Sequence, residues 1–272
     1  MDADIRYYLQ VMPGYRDALC ILQAIFDMQA MVARAVAPQL HISPDTARAR
    51  WQRGQPLFAA ESPVFPPSLF DAALRELCGR LPAGSPLCRV ANALRARDAL
   101  PPQQVRALPA RLLADRRACL RQLATVASVP EEAVAFVLCA ILSPLLAQEA
   151  AACHPWLEGV GWRRGVCPMC GVEPWMARLL RDDGRRMLAC PLCRTEWPFD
   201  RLRCPFCDGN THPCLRYFTV EGDEAHRVAC CDHCRRYLKT VDERLLGRRA
   251  NLPVEDVITS RLDVIAQEQG YY

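Results

Sequence analysis

Apolar residues at helical spacing run through the first 155 residues of the chain. Tyr15, Leu19, Leu22 and Phe26 lie three or four residues apart, which places them on one face of a helix that reaches Ala35. The same spacing returns several times further along. It predicts more helices over about 43–51, 69–81, 91–98, 105–129 with a break near Pro109, and 131–153.

Prolines mark where these helices end or bend. The stretch 54–68 carries four prolines and predicts an irregular connection between helices. In the helix predicted over 131–153, Pro144 should bend or break the chain. The most apolar part of that helix, 133–147, is shorter than the roughly 18 residues needed to span a bilayer. We therefore predict a buried core helix and no membrane insertion.

The pattern changes in the second half of the chain. Two stretches, 171–189 and 215–230, each contain two short apolar runs joined by a turn. The turns are Asp182-Asp183-Gly184 and Glu221-Gly222-Asp223, so each stretch predicts a β-hairpin. After Gly247 the helical spacing returns, which predicts one final helix.

The composition is that of a soluble globular protein. Of the 272 residues, 51% are hydrophobic and 24% are charged, and the net charge of +4 is too small to indicate a polyanionic partner. The N-terminus lacks both a basic start and a continuous apolar stretch, so we expect no secretory signal and a cytoplasmic protein. The 16 cysteines would be reduced there, and those at ligand spacing are expected to bind metal rather than to form disulfides.

Four Cys-x-x-Cys pairs give the second half its chemistry. A two-residue spacer lets one tight turn aim both thiolates at a single tetrahedral ion. The first two pairs are separated by 19 residues and the last two by 23, which favours consecutive pairing and leaves an interleaved arrangement as the alternative. The predicted ligands are Cys167, Cys170, Cys190, Cys193, Cys204, Cys207, Cys231 and Cys234.

Two metal ions per chain follow from these ligands. Four thiolates suit zinc and mononuclear iron equally well, so the prediction is iron or zinc. Cys153, Cys214, Cys230 and the nearby histidines are candidate substitute ligands, whereas the cysteines on helical faces are expected to act as small hydrophobes. The predicted α+β fold has a helical domain at 1–155, tandem rubredoxin-like or zinc-ribbon modules at 160–200 and 201–245, and a C-terminal helix at 250–272 that packs on the rest.

No catalytic motif accompanies the cysteines. The sequence has no Gly-rich phosphate loop, no Gly-x-Ser-x-Gly elbow and no His-Glu-x-x-His motif. A metal held by four protein ligands has no open position at which to activate water. We therefore predict that the protein is not an enzyme and that its metal-stiffened region holds another protein. Trp197 either packs against the metal loops or anchors that partner.

The cysteine-rich region resembles the formate dehydrogenase accessory protein family FdhE. The resemblance rests on the order of the four pairs, on Thr195-Glu196-Trp197 after the second pair, and on Tyr237-Leu238-Lys239 after the fourth. The terminal segment VEDVITSRLDVIAQEQGY is similar to the acidic and apolar helix that the family places there. The match runs from about Gly165 to Tyr272 and is loose before it.

The resemblance implies two rubredoxin-like modules after a helical domain, with iron associated with the cysteine sites. It also implies a cytoplasmic assembly role, in which the protein binds the catalytic subunit of a respiratory formate dehydrogenase before export. Relatives are expected to continue beyond Tyr272 with a short tail, so a contact made by that tail is expected to be missing here. The candidate partner-binding residues are Thr195, Glu196, Trp197, Tyr237 and Lys239.

Two other functions stay open from the sequence. Ribbon proteins often bind nucleic acid, and arginines of the first hairpin could contact phosphates, although Asp182 and Asp183 between them oppose such contact. We expect no nucleic-acid partner for this reason. The hairpin arginines are Arg178, Arg181, Arg185 and Arg186. The second alternative is an electron-transfer protein, which would need iron at an exposed site.

Overall fold

Helices form the N-terminal half of the chain in the computed structural model, which describes residues 1–82, 84–96, 100–207 and 214–272. Short 3₁₀ turns precede α2 and α4 and follow α9. The helices are α1 (Ala3–Val11), α2 (Arg16–Ala35), α3 (Pro44–Gln52), α4 (Pro67–Arg80), α5 (Pro86–Arg95), α6 (Pro102–Arg106), α7 (Leu108–Ala114), α8 (Arg116–Ala127) and α9 (Glu131–Cys153).

These helices agree with most of the predicted ones. Ser43 caps α3, because its Oγ accepts a hydrogen bond from the backbone N–H of Thr46 at 3.2 Å. The helical stretch predicted over 105–129 with a break near Pro109 does break there, between α6 and α7, and it has a second break at Asp115, between α7 and α8, that was not predicted. The helix predicted to end at Asp98 ends at Arg95, and Asp98 lies outside the described residues.

The core of the helical half is α9. It is apolar on nearly all sides, and Val137, Ile141 and Leu145 are each 0% exposed. Pro144 does not break it, so that part of the prediction is wrong. Proline has no N–H for the carbonyl oxygen of Ala140, but the side-chain Nε2 of Gln29 on α2 donates to that oxygen at 2.9 Å. A neighbouring helix therefore satisfies the carbonyl that the proline leaves open.

Two helical stretches, 13–35 and 131–157, are long and apolar enough to cross a membrane by length and composition. A core helix passes the same test, and 67% of the apolar window in 131–157 is buried inside the protein. The corresponding share for 13–35 is 28%. The packing of α9 agrees with the buried core helix predicted from the sequence.

Six strands form one mixed sheet in the described part of the second half. The order is β3-β2-β1-β6-β5-β4, and all neighbours are antiparallel except β1 and β6, which run parallel with Met176 opposite Lys239. The two predicted hairpins are β1/β2 and β4/β5. The strands are β1 (Met176–Leu179), β2 (Arg186–Ala189), β3 (Glu196–Pro198), β4 (Leu215–Val220), β5 (Asp223–Cys231) and β6 (Tyr237–Asp242).

The parallel pair joins two halves that the sequence presents as separate modules. Strands β1 to β3 belong to the predicted module at 160–200, and β4 to β6 belong to the one at 201–245. Hydrogen bonds between β1 and β6 make them one continuous sheet. The domain boundaries stay a prediction. The sheet links the predicted modules at 160–200 and 201–245 across the boundary between them.

The C-terminal segment covers one face of this sheet. It consists of α10 (Glu243–Leu246), α11 (Leu252–Ile258) and α12 (Ser260–Glu268), so the prediction of one final helix is corrected to a chain that breaks at Thr259. Leu262 and Ala266 of α12 pack on Val228 of β5. A second cluster joins both ends of the chain, and its members are Ile5, Tyr8, Leu19, Leu22, Val254 and Ile258.

A buried polar network holds α1, α11 and β5 together. The carboxylate of Glu255 is 0% exposed and accepts hydrogen bonds from the Tyr8 hydroxyl at 3.0 Å and from Arg248 at 2.7 Å. His226 of β5 lies 3.0 Å from the same carboxylate and 2.6 Å from Asp223. Burial alone would lower the pKa of His226, but hydrogen bonds and charge from Asp223 and Glu255 outweigh it and raise that pKa to about 9.

This network predicts a loss of stability at alkaline pH. A histidine whose pKa is higher in the folded than in the unfolded chain stabilises the fold fully below pH 6.5, and the effect disappears as the pH rises through about 9. The free energy of unfolding should therefore fall by about 3 kcal/mol more in the natural protein than in His226→Gln between pH 6 and pH 10. Urea unfolding at a series of pH values measures the difference.

His41→Gln is the control, because His41 is exposed on the helical half of the protein. It should follow the natural protein across the whole range. Parallel pH curves for the natural protein and His226→Gln would show that the charge of His226 does not stabilise the fold.

Candidate metal centres

The first cysteine group lies at the base of the first hairpin. It contains Cys167, Cys170, Cys190 and Cys193, all of them buried. The Sγ atoms of Cys167 and Cys193 are 3.4 Å apart, those of Cys170 and Cys190 are 3.3 Å apart, and all four lie within 4.8 Å of one another. A tetrahedral ion with metal–sulfur bonds of about 2.3 Å requires sulfur atoms about 3.8 Å apart. The group therefore fits such an ion.

Local backbone geometry places these sulfur atoms. In the first knuckle the Gly171 N–H donates to the Cys167 carbonyl at 2.9 Å, which closes a tight turn. Gly171 has a φ of +77°, and the residues in the same position of the second and fourth knuckles, Arg194 and Arg235, each have a φ of +59°. Glycine adopts this conformation freely, whereas each arginine does so at a cost of about 1 kcal/mol. A bound ion would offset that cost.

The second group contains Cys204, Cys207, Cys231 and Cys234. The Sγ atoms of Cys204 and Cys234 are 3.7 Å apart, and so are those of Cys207 and Cys231, which matches the tetrahedral spacing closely. Cys207 and Cys234 are only half-buried, unlike any cysteine of the first group. The second centre is therefore the more accessible of the two.

The structure thus groups the cysteines consecutively, first pair with second and third with fourth. These are the groups of three or more His, Cys, Asp or Glu residues, within the described ranges, that can hold a metal ion. Cys153, Cys230 and the other described cysteines are outside both groups, as are His154, His226 and His233, while His212 lies outside the described residues. Two tetracysteine clusters are available for two ions.

Electrostatics within each group favours one thiolate. Burial raises the pKa of the Cys167 and Cys170 thiols well above their ordinary value. Burial would do the same to Cys193, but hydrogen bonds from the three other thiols and from Thr195 outweigh it and lower its pKa. A cation in the centre would favour the thiolate form of the remaining cysteines, so binding of the metal would release protons.

Arginines next to the cysteines tie the centres to the rest of the protein. Arg194 donates to the Ser143 hydroxyl of α9 at 3.1 Å and lies over the ring of Trp175 at 5.6 Å. Arg236 stacks on Phe206 at 3.7 Å and forms two hydrogen bonds with the Glu173 carboxylate, at 2.7 and 2.9 Å. The first contact joins the first centre to the helical domain, and the second joins the two centres to each other.

The five candidate partner-binding residues have partners inside the chain. Trp197 is 0% exposed, and its indole N–H donates to the Arg164 carbonyl at 2.9 Å. Lys239 is 4% exposed and lies between the carboxylates of Asp256 and Asp263. Contact of these residues with a partner stays a prediction. The sequence left two possibilities for Trp197, packing against the metal loops or anchoring a partner, and in this structure its side chain is packed.

Thr195, Glu196 and Tyr237 are also engaged. The Thr195 hydroxyl lies 3.1 Å from the Cys193 sulfur, and Glu196 accepts a hydrogen bond from Arg178 at 2.7 Å. The Tyr237 hydroxyl donates to Asp263 at 2.9 Å. These residues support the first centre and the sheet beside it.

The arginines of the first hairpin are poorly placed for nucleic acid. Arg178 and Arg186 are buried, and Arg185 is paired with Asp183 at 2.7 Å. A phosphate-binding surface needs several arginines that are free to meet the backbone of the nucleic acid. The first hairpin does not offer one.

The different burial of the two groups predicts the order of metal loss. An excess of chelator should remove the second ion about tenfold faster than the first, because Cys207 and Cys234 are half-exposed. The release is followed by absorbance of the chelator complex. Cys234→Ser should abolish the fast phase and Cys193→Ser the slow phase. Release of both ions in one phase from the natural protein would contradict the assignment.

The region of the first centre is similar to known proteins. The model of the "FdhE, central domain" family matches residues 166–201, which include the whole first centre. Among curated proteins, an FdhE homolog of Aquifex aeolicus is 30% identical over 146 residues, which are 53% of this chain and 50% of the relative. An FdhE homolog of Pseudomonas aeruginosa is 33% identical over 118 residues, which are 40% of this chain and 37% of the relative.

A solved structure extends the similarity to the fold of the whole chain. The crystal structure of the FdhE protein from Pseudomonas aeruginosa matches with a TM-score of 0.66 and 22% identity, over 98% of this chain and 91% of that one. In sequence, the chain spans half or less of the length of these curated relatives. The central-domain match, the curated relatives and the shared fold agree, and all of them make FdhE proteins what this chain is similar to.

Proposed function

We propose that this protein is a cytoplasmic accessory protein of formate dehydrogenase that binds the catalytic subunit of a respiratory enzyme before its export. The observation that carries the proposal is the match of the FdhE central domain to residues 166–201, the segment that builds the first cysteine group. The relatives that share this segment are FdhE proteins. Maturation of formate dehydrogenase is the function that the resemblance to the FdhE family implies.

We also propose that each group of four cysteines holds one ion, either iron or zinc. Four thiolates around an ion leave no open position, so the ion would cross-link chain segments rather than activate water or substrate. The first centre would fix the loops that carry β1 to β3, and the second would fix those that carry β4 to β6. A binding role for the folded surface follows from this, and no catalytic residue is proposed.

The partner surface is expected near the two segments that follow the second and fourth knuckles, 195–197 and 237–239. Because Trp197 and Lys239 are buried, we expect them to shape this surface from below rather than to contact the partner themselves. Exposed apolar side chains elsewhere include Phe136 of α9, which is 49% exposed and lines a groove with Trp175 and Pro191 of the first centre. That groove lies between the helical domain and the second knuckle.

A pull-down tests the interaction. The catalytic subunit of a respiratory formate dehydrogenase is used as bait in a cytoplasmic extract that contains this protein under reducing conditions. We expect co-purification with the natural chain and its loss with Cys190→Ser, whereas Cys20→Ser, which alters an exposed cysteine outside both groups, should bind like the natural chain.

Deletion of the gene gives the second readout. Formate dehydrogenase activity should fall in the deletion strain and return when the natural chain is supplied. Full activity in the deletion strain, or equal capture of an unrelated exported enzyme, would count against the proposal.

A further inference from the structure

A cavity of about 300 Å³ lies between the second cysteine group and the face of the sheet that the C-terminal helices leave open. Alternate residues of the strands point into it, among them Tyr217 of β4, Ala229 of β5 and Leu238 of β6. The opposite face carries Val228, which packs under α12. The cavity is therefore a feature of the uncovered sheet face and is separate from the helical packing.

All charged residues that line the cavity are arginines. The described residues of the lining include six of them and no aspartate or glutamate, and four of the six also pair with carboxylates just outside the lining: Arg203 with Asp200, Arg216 with Asp232, Arg227 with Asp242 and Arg236 with Glu173. The Nη2 of Arg227 donates a hydrogen bond to the Asp242 carboxylate. The Nε of Arg227 and the hydroxyl of Thr240 are both buried without a hydrogen-bond partner. Buried polar groups without partners are uncommon and call for an explanation. The arginines are Arg186, Arg201, Arg203, Arg216, Arg227 and Arg236.

The walls between these arginines are apolar. Two large apolar side chains at the cavity stay exposed, Leu202 at 62% and Tyr217 at 70%. Their exposure costs free energy that a ligand with an apolar body would recover. The remaining apolar residues of the wall are Leu179, Pro205, Phe206, Leu215, Ala229 and Leu238.

We propose that this cavity binds a small organic anion, a carboxylate or phosphate carried on an apolar, preferably aromatic, body. Guanidinium groups form paired hydrogen bonds with both kinds of anion, and apolar walls of this volume enclose a body of one or two rings. Because Cys204 and Cys231 also line the cavity, the ligand would lie against the second cysteine group. This ligand site is separate from the proposed interaction with formate dehydrogenase and does not depend on it.

The test uses 8-anilinonaphthalene-1-sulfonate as a fluorescent anionic probe on the full chain, purified under reducing conditions. We expect one probe per chain, displaced by 1-naphthyl phosphate and by 1-naphthoate but not by neutral 1-naphthol. Arg201→Gln, which changes an exposed arginine at the cavity, should weaken binding about tenfold. Ala229→Phe should block it by filling the cavity.

Arg121→Gln removes the same charge from an exposed position on α8 and is the matched control. Its affinity for the probe should equal that of the natural chain. The circular dichroism spectrum and urea midpoint of each variant establish that it is folded. The proposal is overturned if the probe does not bind, if 1-naphthol competes as well as 1-naphthyl phosphate, or if folded Arg201→Gln and Ala229→Phe bind like the control.

Discussion

Replacing Cys190 with serine should leave the chain with one bound metal ion instead of two and should unfold the first centre. Cys190 is 0% exposed, and its sulfur accepts hydrogen bonds from the backbone N–H groups of Leu192 and Cys193 at 3.4 Å. A structural zinc site contributes roughly 10–16 kcal/mol of binding free energy to folding. Loss of one of four thiolates should remove a large part of it and loosen the strands on either side.

Elemental analysis of protein purified without added metal measures the number of ions and identifies iron or zinc. Urea unfolding followed by tryptophan fluorescence measures the stability, since Trp197 lies beside the first centre. Cys20→Ser should keep both ions and the midpoint of the natural protein. Two ions in Cys190→Ser, or no metal in the natural protein, would contradict the proposed centre.

The cysteine groups could be predicted from the sequence because their geometry is local. Two residues between the cysteines of a pair fix the turn, and a hairpin of limited length brings the next pair within reach. The structure confirms both hairpins at the predicted positions, as β1/β2 and β4/β5. It also groups the cysteines in the consecutive order that the spacing favours.

The single sheet could not be predicted in the same way. The parallel pair β1 and β6 places Met176 opposite Lys239, and nothing in either segment indicates the other as its partner. Short strands of four and six residues fit either an edge or a central position. Helices α11 and α12 also contact β6, and such tertiary contacts cannot be read from the residues of the strand itself.

The sequence also does not reveal which charged and aromatic residues are buried. From the sequence, Arg178 is one of four hairpin arginines that could meet phosphates, because charge alone does not reveal burial. In the structure its partner Glu243 comes from α10, 65 residues along the chain. Trp197 is covered in a similar way by a distant segment, through the Arg164 carbonyl. Long-range partners of this kind leave no local pattern.

Arg178→Met should destabilise the protein by about 3–5 kcal/mol, the cost of breaking a buried ion pair by removing one partner. The side chains of Arg178 and Glu243 are each 5% exposed, and Arg178 Nη1 lies 2.6 Å from the Glu243 carboxylate. Its Nη2 donates to Glu196 at 2.7 Å, so one guanidinium joins β1, β3 and α10. Methionine fills similar space but leaves the Glu243 carboxylate buried with only the Ala250 N–H as a donor.

The free energy of unfolding in urea measures this loss, with two variants for comparison. Arg185→Met removes an exposed arginine of the same hairpin, whose side chain is 66% exposed and paired with Asp183, and should change stability by less than about 0.5 kcal/mol. The double variant Arg178→Met with Glu243→Gln should regain part of the loss, because the neutral side chain no longer leaves a buried charge. If Arg178→Met is as stable as Arg185→Met, the pair does not hold the sheet to α10, and the link between the two halves depends on the β1–β6 backbone pairing and the contact of Arg236 with Glu173.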